Sequence, residues 1–184
     1  MIRNEYVYEL PNFDITELFE FVNKKIPTNW HLVDDDKIVC NYNSKHSWLG
    51  NRFNIYQLKK GTWPKHVDLG RSCSLSIPYN NCDETKVTRF YKPKNELKYG
   101  TVYDSFSDAK PKVNLKSNEI IGFVTSDLEL DFEHVLKVPT VIRNDVPHDV
   151  VNYNEDIRII ISWTCNKNFK KVINEIQWLN GENK

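Results

Sequence analysis

Hydrophobic residues recur with helical spacing near both ends of the chain. In the N-terminal segment they form one broad face, and Asp14 and Glu17 have the spacing of a capping box, which predicts a helix over residues 14–25. In the C-terminal segment a single apolar stripe predicts a second helix over residues 167–179, ended by Gly181. The two helices are therefore expected to flank a central part of different character.

The central part consists of short β-prone runs separated by turn-rich segments. The predicted strands are 37–42, 52–58, 73–77, 87–91, 120–124, 140–142 and 156–163. Many short strands predict a mainly β fold, as a sandwich, jelly roll or closed barrel, with the terminal helices packed on an outer face. Residues 92–118 are polar, lysine-rich and weakly patterned, which indicates a long loop or insertion. That loop either borders a functional site or is a solvent-exposed loop without a functional role.

Length and charge narrow the class of protein. The 184 residues fit one domain, 1–184, and 25 basic residues balance 25 acidic ones, which argues against general nucleic-acid binding. We see no secretion signal and no stretch long enough to cross a membrane, so we expect a cytoplasmic protein. The four cysteines lack metal-site spacing, and reduced thiols are expected.

A His-x-Asp pair at residues 66 and 68 is the first candidate metal site. In an extended strand His66 and Asp68 point to the same face, where an imidazole nitrogen and a carboxylate oxygen can bind one ion. This mixed donor set suits Fe(II). The pair alone is a weak signal, because a chain with five histidines readily contains one by chance.

A second candidate segment runs from His148 to Arg158. An apolar run after His148, a polar turn over 152–156 and a strand beginning at Arg158 predict a hairpin in which Arg158 lies opposite His148. On that strand Arg158 shares a face with Ser162. Turned inward, the guanidinium requires an anion such as a carboxylate; turned outward, it lies on a solvated surface.

Together the two segments resemble the Fe(II)- and 2-oxoglutarate-dependent oxygenases, which combine His-x-Asp, a distal histidine and an arginine ten residues beyond it. Residues 65–78 (KHVDLGRSCSLSIP) and 146–152 (VPHDVVN), with Arg158, are similar to the aspartyl/asparaginyl β-hydroxylase branch. The likeness is greatest to small versions from bacteriophages and marine bacteria. It covers about residues 63–91 and 139–163.

The resemblance implies a double-stranded β-helix, a jelly-roll or cupin-like barrel, with helices at both ends. It implies that His66, Asp68 and His148 are the catalytic iron ligands and that Arg158 binds the distal carboxylate of the co-substrate 2-oxoglutarate. Arg71 also matches the pattern of the branch, and it faces the co-substrate, the substrate or Asp68.

The chain departs from many relatives at two positions. Ser76 stands where many have Asn, and Ile160 stands where many have a serine that follows the arginine. The sequence therefore leaves two candidates, Ser162 and Ser74, for the hydroxyl that completes the co-substrate pocket. Some relatives lack the carboxylate ligand, whereas Asp68 leaves no vacancy for a halide, so hydroxylation is favoured over halogenation.

The implied function is a dioxygenase that uses O2 and 2-oxoglutarate to hydroxylate an amino-acid side chain, free or in a peptide or protein, or a related small molecule. A phage-encoded enzyme would act in the host cytoplasm. The alternative is a cupin-like metal-binding barrel without 2-oxoglutarate turnover, either another metalloenzyme or a binding module, which does not need Arg158 to face inward. Side chains assigned to packing or to the surface are His31, His46, His134, Trp48, Phe53, Tyr56 and Trp63.

Overall fold

The computed structural model describes residues 1–28, 30, 37–68, 70–100 and 121–181. The chain is mainly β, as its pattern predicts. Its elements are β1 (Val7–Glu9), α1 (Thr16–Asn23), β2 (Lys37–Asn41), β3 (Leu49–Leu58), β4 (Gly61–Asp68), β5 (Cys73–Asn80), β6 (Lys86–Pro93), β7 (Tyr99–Gly100), β8 (Ile121–Val124), β9 (Leu128–Val135), β10 (Thr140–Arg143), β11 (His148–Asn152), β12 (Arg158–Cys165) and α2 (Phe169–Leu179).

The strands form two six-stranded sheets in which all pairings are antiparallel. The first sheet has the order β1-β10-β5-β12-β3-β2, and the second has the order β7-β8-β4-β11-β6-β9. Among the described residues no strand pairing joins the two sheets, so they do not close into one hydrogen-bonded barrel. Consecutive strands from β3 to β6 alternate between the sheets, which places residues of neighbouring sequence on opposite walls.

Both predicted helices are confirmed, with one correction to the first. The capping box is wrong, because Ile15 occupies the N-cap position without a side-chain bond. Asp14 instead accepts a hydrogen bond from the backbone N–H of Thr16 at 3.1 Å. The second helix is capped by the side chain of Asn168, and Gly181 adopts a φ of 70° beyond its end, which suits glycine.

Each of the seven predicted strands overlaps an observed one, although some boundaries differ. Strand β5 continues beyond the predicted end at residue 77, through Pro78 to Asn80. In the predicted loop over 92–118, β6 extends to Pro93 and β7 adds a short strand, while residues 101–118 lie outside the described residues.

The outer face of the first sheet carries most of its buried apolar residues. Alternate residues of β3, β5 and β12 pack against α1 and α2 in one core cluster, whose members include Leu18, Val22, Phe53, Ile55, Leu75, Ile77, Ile161, Trp163, Val172 and Ile176. Each fully buried aliphatic or aromatic side chain of this kind contributes roughly 2 kcal/mol. The intervening residues of these three strands face the second sheet, and the buried ones are polar: Asn54, Ser74, Ser76, Arg158 and Ser162.

A smaller apolar cluster lies between the sheets. Phe90 of β6 and Ile142 of β10 belong to it together, and Ile160 of β12 packs against it. Asn152 adds a polar link, because its side-chain amide donates to the carbonyl of Leu58 at 3.0 Å, at the end of β3. These contacts hold the two inner faces at a fixed separation.

The predicted hairpin from His148 to Arg158 is wrong. Strand β11 pairs with β4 and β6 in the second sheet, and β12 pairs with β3 and β5 in the first. Both flanks of each strand are therefore occupied, and the connection over residues 153–157 crosses from one sheet to the other. None of the described helices has both the length and the apolar character needed to cross a membrane.

Candidate metal centre

Two adjacent strands of the second sheet bring the predicted metal ligands together. His66 and Asp68 share the inner face of β4, and the register places His148 of β11 directly opposite His66. The two imidazole rings lie 4.2 Å apart between centroids. One ligand atom from each of the three side chains lies within 4.8 Å of the other two, so this group could hold a metal ion.

Both histidine rings are oriented by backbone carbonyl groups. Nδ1 of His66 lies 2.7 Å from the carbonyl oxygen of Pro64, and Nδ1 of His148 lies 2.9 Å from that of Val146. In the tautomer with the proton on Nδ1, each ring donates to its carbonyl and leaves the Nε2 lone pair for a metal. This is the outer hydrogen bond that metal-binding histidines require. Nε2 of His66 lies 3.6 Å from Oδ1 of Asp68.

Arg71 fixes the carboxylate of Asp68. Its Nε donates to Oδ2 of Asp68 at 2.7 Å, and its Nη1 donates to Oγ of Ser162 at 3.2 Å. Oδ2 is therefore engaged, and Oδ1 is the oxygen nearer to His66. Of the three alternatives left open for Arg71, the structure shows the contact with Asp68. The same side chain connects the group of His66, Asp68 and His148, called the metal group below, to β12 of the opposite sheet.

The electrostatics keep His66 and Asp68 in their metal-binding protonation states. Burial, followed by the neighbouring His148, lowers the pKa of His66 to about 4, so this imidazole is neutral at pH 7. Burial by itself would raise the pKa of Asp68, but Arg71 and then the two imidazoles outweigh it and hold that pKa below its ordinary value. A neutral imidazole and an ionised carboxylate are the forms that bind metal.

Arg158 is turned inward, as the inward alternative requires. The side chain is 2% exposed, and within the described residues its Nε and Nη1 atoms have no hydrogen-bond partner. Burial lowers the pKa of this guanidinium, and Cys82 and Asp83 partly oppose the effect. Ser162 lies on the same face of β12, closer to the metal group. A buried guanidinium with unpaired donors is a place where an anion binds.

Asp149 anchors the strand that carries His148. It is 1% exposed on the outer face of β11 and accepts from Nε and Nη2 of Arg89 at 2.8 and 2.7 Å. The hydroxyl of Tyr91 donates to the same carboxylate at 2.9 Å. The sequence interpretation did not single out this ion pair, because only the strand register places Arg89 opposite Asp149.

His134 is buried at a position that the sequence interpretation assigned to packing or the surface. It lies on β9, a strand that was not predicted, although Leu128–Val135 alternates between apolar and acidic residues over most of its length. That alternation is the signal that could have located it. His46 does pack between Phe13 and Trp48, with ring centroids 5.0 and 5.7 Å away, whereas His31 lies outside the described residues.

A scan of the chain against protein-family models gives no match, and a search of curated proteins gives none. The function is therefore argued from the geometry of the chain itself. That geometry consists of a buried His-Asp-His group and, farther along the same interior, a buried arginine with unpaired donors.

Proposed function

We propose that this protein is an Fe(II)- and 2-oxoglutarate-dependent dioxygenase that hydroxylates an amino-acid side chain or a related small molecule. The observation that carries the proposal is the convergence of His66, Asp68 and His148 with their ligand atoms within 4.8 Å of one another. Arg158 supplies the second requirement, a buried cation on the opposite wall of the same interior. The alternative metal-binding barrel explains the first feature but gives no reason for the second.

The residues present fit a ferrous ion. Two imidazoles and one carboxylate form the facial donor set of non-haem Fe(II) oxygenases and leave the remaining positions to small ligands. His66 and His148 would bind through Nε2, because their Nδ1 atoms are held by backbone carbonyls. Asp68 would bind through Oδ1, because Arg71 engages Oδ2. When bound, the metal supplies O2-dependent oxidation of a C–H bond coupled to oxidative decarboxylation of the 2-oxo acid.

The strand order supports a jelly roll, the fold that the proposal requires. If the eight strands β3, β4, β5, β6, β9, β10, β11 and β12 are numbered consecutively from one, the first sheet has the order 6-3-8-1 and the second has the order 2-7-4-5. Two interlocked Greek keys produce this pairing. In this arrangement the metal group lies on strands two and seven, and Arg158 begins strand eight.

The interior suits a polar co-substrate. The inner face of the first sheet presents small hydroxyl groups, including Ser74 and Ser162, whereas most of its buried apolar residues face the helices. Arg158 and Ser162 are four residues apart on one strand, which corresponds to roughly 13 Å between their Cα atoms. A five-carbon dicarboxylate reaching from the metal group toward Arg158 would lie along this polar face. The guanidinium would bind its distal carboxylate and Arg71 would hold Asp68 in place.

Substrate class and reaction outcome rest on the sequence resemblance. Asp68 occupies the carboxylate position of the metal group, which supports hydroxylation over halogenation. The β-hydroxylase likeness supports an amino-acid side chain as the group that receives the hydroxyl. The chain's own task would be to orient that C–H bond and to exclude water from the buried metal group.

Anaerobic titration tests the proposal directly. Protein loaded with Fe(II) should develop a weak visible absorption band when 2-oxoglutarate is added, and aerobic incubation should form succinate. The His148→Ala variant should show neither the band nor succinate. The control variant His46→Ala changes a histidine that packs between Phe13 and Trp48, in the core on the helix side of the first sheet, and should show both. A protein that binds Fe(II) stoichiometrically but shows no band and no succinate would contradict the proposal and favour the binding-module alternative.

A further inference from the structure

His134 is a buried histidine whose ring is left without hydrogen bonds. It is 1% exposed, and neither ring nitrogen meets a donor or acceptor in the part of the chain that the structure describes. Burial is the main cause that lowers its pKa, so the ring is neutral at pH 7 and carries one N–H donor. A buried donor of this kind is destabilising unless a ligand or water completes it.

The ring faces the interior from the second sheet. The register pairs Phe132 of β9 with Phe90 of β6, and His134 shares the inner face of β9 with Phe132. Phe90 belongs to the apolar cluster between the sheets, and Ile160 of the first sheet packs against the same cluster. Arg158 lies two residues from Ile160 on the same face of β12. His134 and Arg158 therefore approach the same interior region from opposite walls.

The electrostatics agree with this proximity. After burial and the opposing effect of Glu9, the charge of Arg158 contributes to the lowered pKa of His134. Nearby, Lys86 is completely buried and its Nζ lies 2.9 Å from Oδ2 of Asp83, which also interacts with Arg158. In the described part of this region, the buried cations Lys86 and Arg158 thus share the carboxylate of Asp83, which is 46% exposed, while Glu9 acts on His134. A further anion between Arg158 and His134 would meet the donors that these carboxylates leave without a partner.

We propose that His134 is a co-substrate-binding residue that donates its imidazole N–H to the same carboxylate that Arg158 binds. The assignment rests on the proposed function, because it takes 2-oxoglutarate as the ligand. An arginine from one sheet and a histidine from the other would hold the distal carboxylate between them. Within the described residues, Nε and Nη1 of Arg158 and both ring nitrogens of His134 lack a hydrogen-bond partner, and one anion would complete both side chains.

The test compares two ligands that differ only at the distal end. Affinities of anaerobic Fe(II)-loaded protein are measured for 2-oxoglutarate and for 2-oxopentanoate, which has a methyl group in place of the distal carboxylate. His134→Phe removes the donor and preserves the stacking on Phe132, whereas His134→Gln retains an N–H donor. His46→Phe is the matched control, because it makes the same change in the helix-side core.

A hydrogen bond to a charged group corresponds to roughly a tenfold or greater change in affinity. We expect His134→Phe to weaken 2-oxoglutarate by about tenfold or more and 2-oxopentanoate by less than about twofold, with partial recovery in His134→Gln. Unchanged binding, or an equal loss for both ligands, would show that His134 only packs. The inference would then be wrong while the proposed function stands, because the wild-type protein still binds 2-oxoglutarate.

A second measurement separates failure of the inference from failure of the proposed function. Metal-free protein is titrated with glutarate, and the ring resonances of His134 and His46 are followed by NMR, with His134→Gln for assignment. If wild-type protein binds no 2-oxoglutarate but glutarate shifts the His134 resonances alone, the carboxylate pocket stands and the oxygenase proposal fails. If glutarate shifts neither ring and 2-oxoglutarate does not bind, both are overturned.

Discussion

Replacing Arg158 by methionine should stabilise the ligand-free protein and abolish its stabilisation by 2-oxoglutarate. The guanidinium is 2% exposed, and two of its nitrogen atoms lack partners within the described ranges. Each buried donor without a partner costs roughly 1–3 kcal/mol. Methionine occupies a similar length with atoms that need no hydrogen bond, and it removes the buried charge.

The expected gain in the free energy of unfolding is the cost of the two unpaired donors, reduced by the partners that Arg158 already has. Their combined cost is roughly 2–6 kcal/mol, but Cys82 and Asp83 compensate part of it. We therefore expect the free energy of unfolding to rise by about 2 kcal/mol, which raises Tm by roughly 4–8 °C for a domain of this size. At a 2-oxoglutarate concentration of about 100 times Kd, the Fe(II)-loaded wild-type protein should gain about 2.7 kcal/mol and the variant nothing.

Arg89→Met is the control, because it should lower the free energy of unfolding that Arg158→Met raises. Arg89 donates to both oxygens of Asp149, which is 1% exposed, so Arg89→Met leaves a buried carboxylate without its cation and with the hydroxyl of Tyr91 as a remaining donor. It should lower the free energy of unfolding by about 2–3 kcal/mol, less than for a fully buried pair because Arg89 is 23% exposed. Calorimetry without metal or ligand compares the two variants. Equal losses of Tm would refute the reasoning that Arg158 is unsatisfied.

Three further predictions concern the metal group. His148→Ala should lose iron on desalting and should not decarboxylate 2-oxoglutarate; iron content equal to wild type would remove this histidine from the ligand set. Arg71→Met should raise the pH of half-maximal iron retention by roughly one unit, since Arg71 is the main group that lowers the pKa of Asp68; an unchanged pH midpoint would contradict that role. In metal-free protein, the free energy of unfolding should fall by about 3 kcal/mol between pH 6.5 and 4. The reason is that His66 is protonated in this range in the unfolded chain but stays neutral in the folded one. Urea titrations at several pH values measure this fall with His66→Phe as the reference, and a flat profile would disprove it.

The local parts of the metal site could be predicted from sequence, and the distant parts only by resemblance. His66 and Asp68 are two residues apart, so strand geometry alone places them on one face. His148 reaches them only because β11 pairs with β4 in a particular register, which a single sequence does not specify. The contact of Arg71 with Asp68 and Ser162 likewise depends on how the two sheets face each other.

The errors also have physical causes. The polar connection over residues 153–157 has the composition of a hairpin turn, but the same composition suits a crossing between sheets. Strands β11 and β12 cannot pair with each other because other strands pair with both edges of each. Those partners are distant in sequence, so a local pattern does not reveal them. Strand β9 was missed although Leu128–Val135 largely alternates, because its acidic residues resemble those of an exposed loop. His134 lies on that strand and was assigned to packing or the surface because it has no partner at metal-ligand spacing in the sequence.

The first sheet separates the residues that maintain the fold from the residues that face the interior. Leu75 and Ile77 face the helices and contribute to stability, whereas Ser74 and Ser76, their neighbours on the same strand, face the interior. Exchanging one small interior side chain for another should alter ligand preference while the melting temperature hardly changes. A scaffold arranged in this way can acquire a new substrate through single substitutions without first acquiring extra stability.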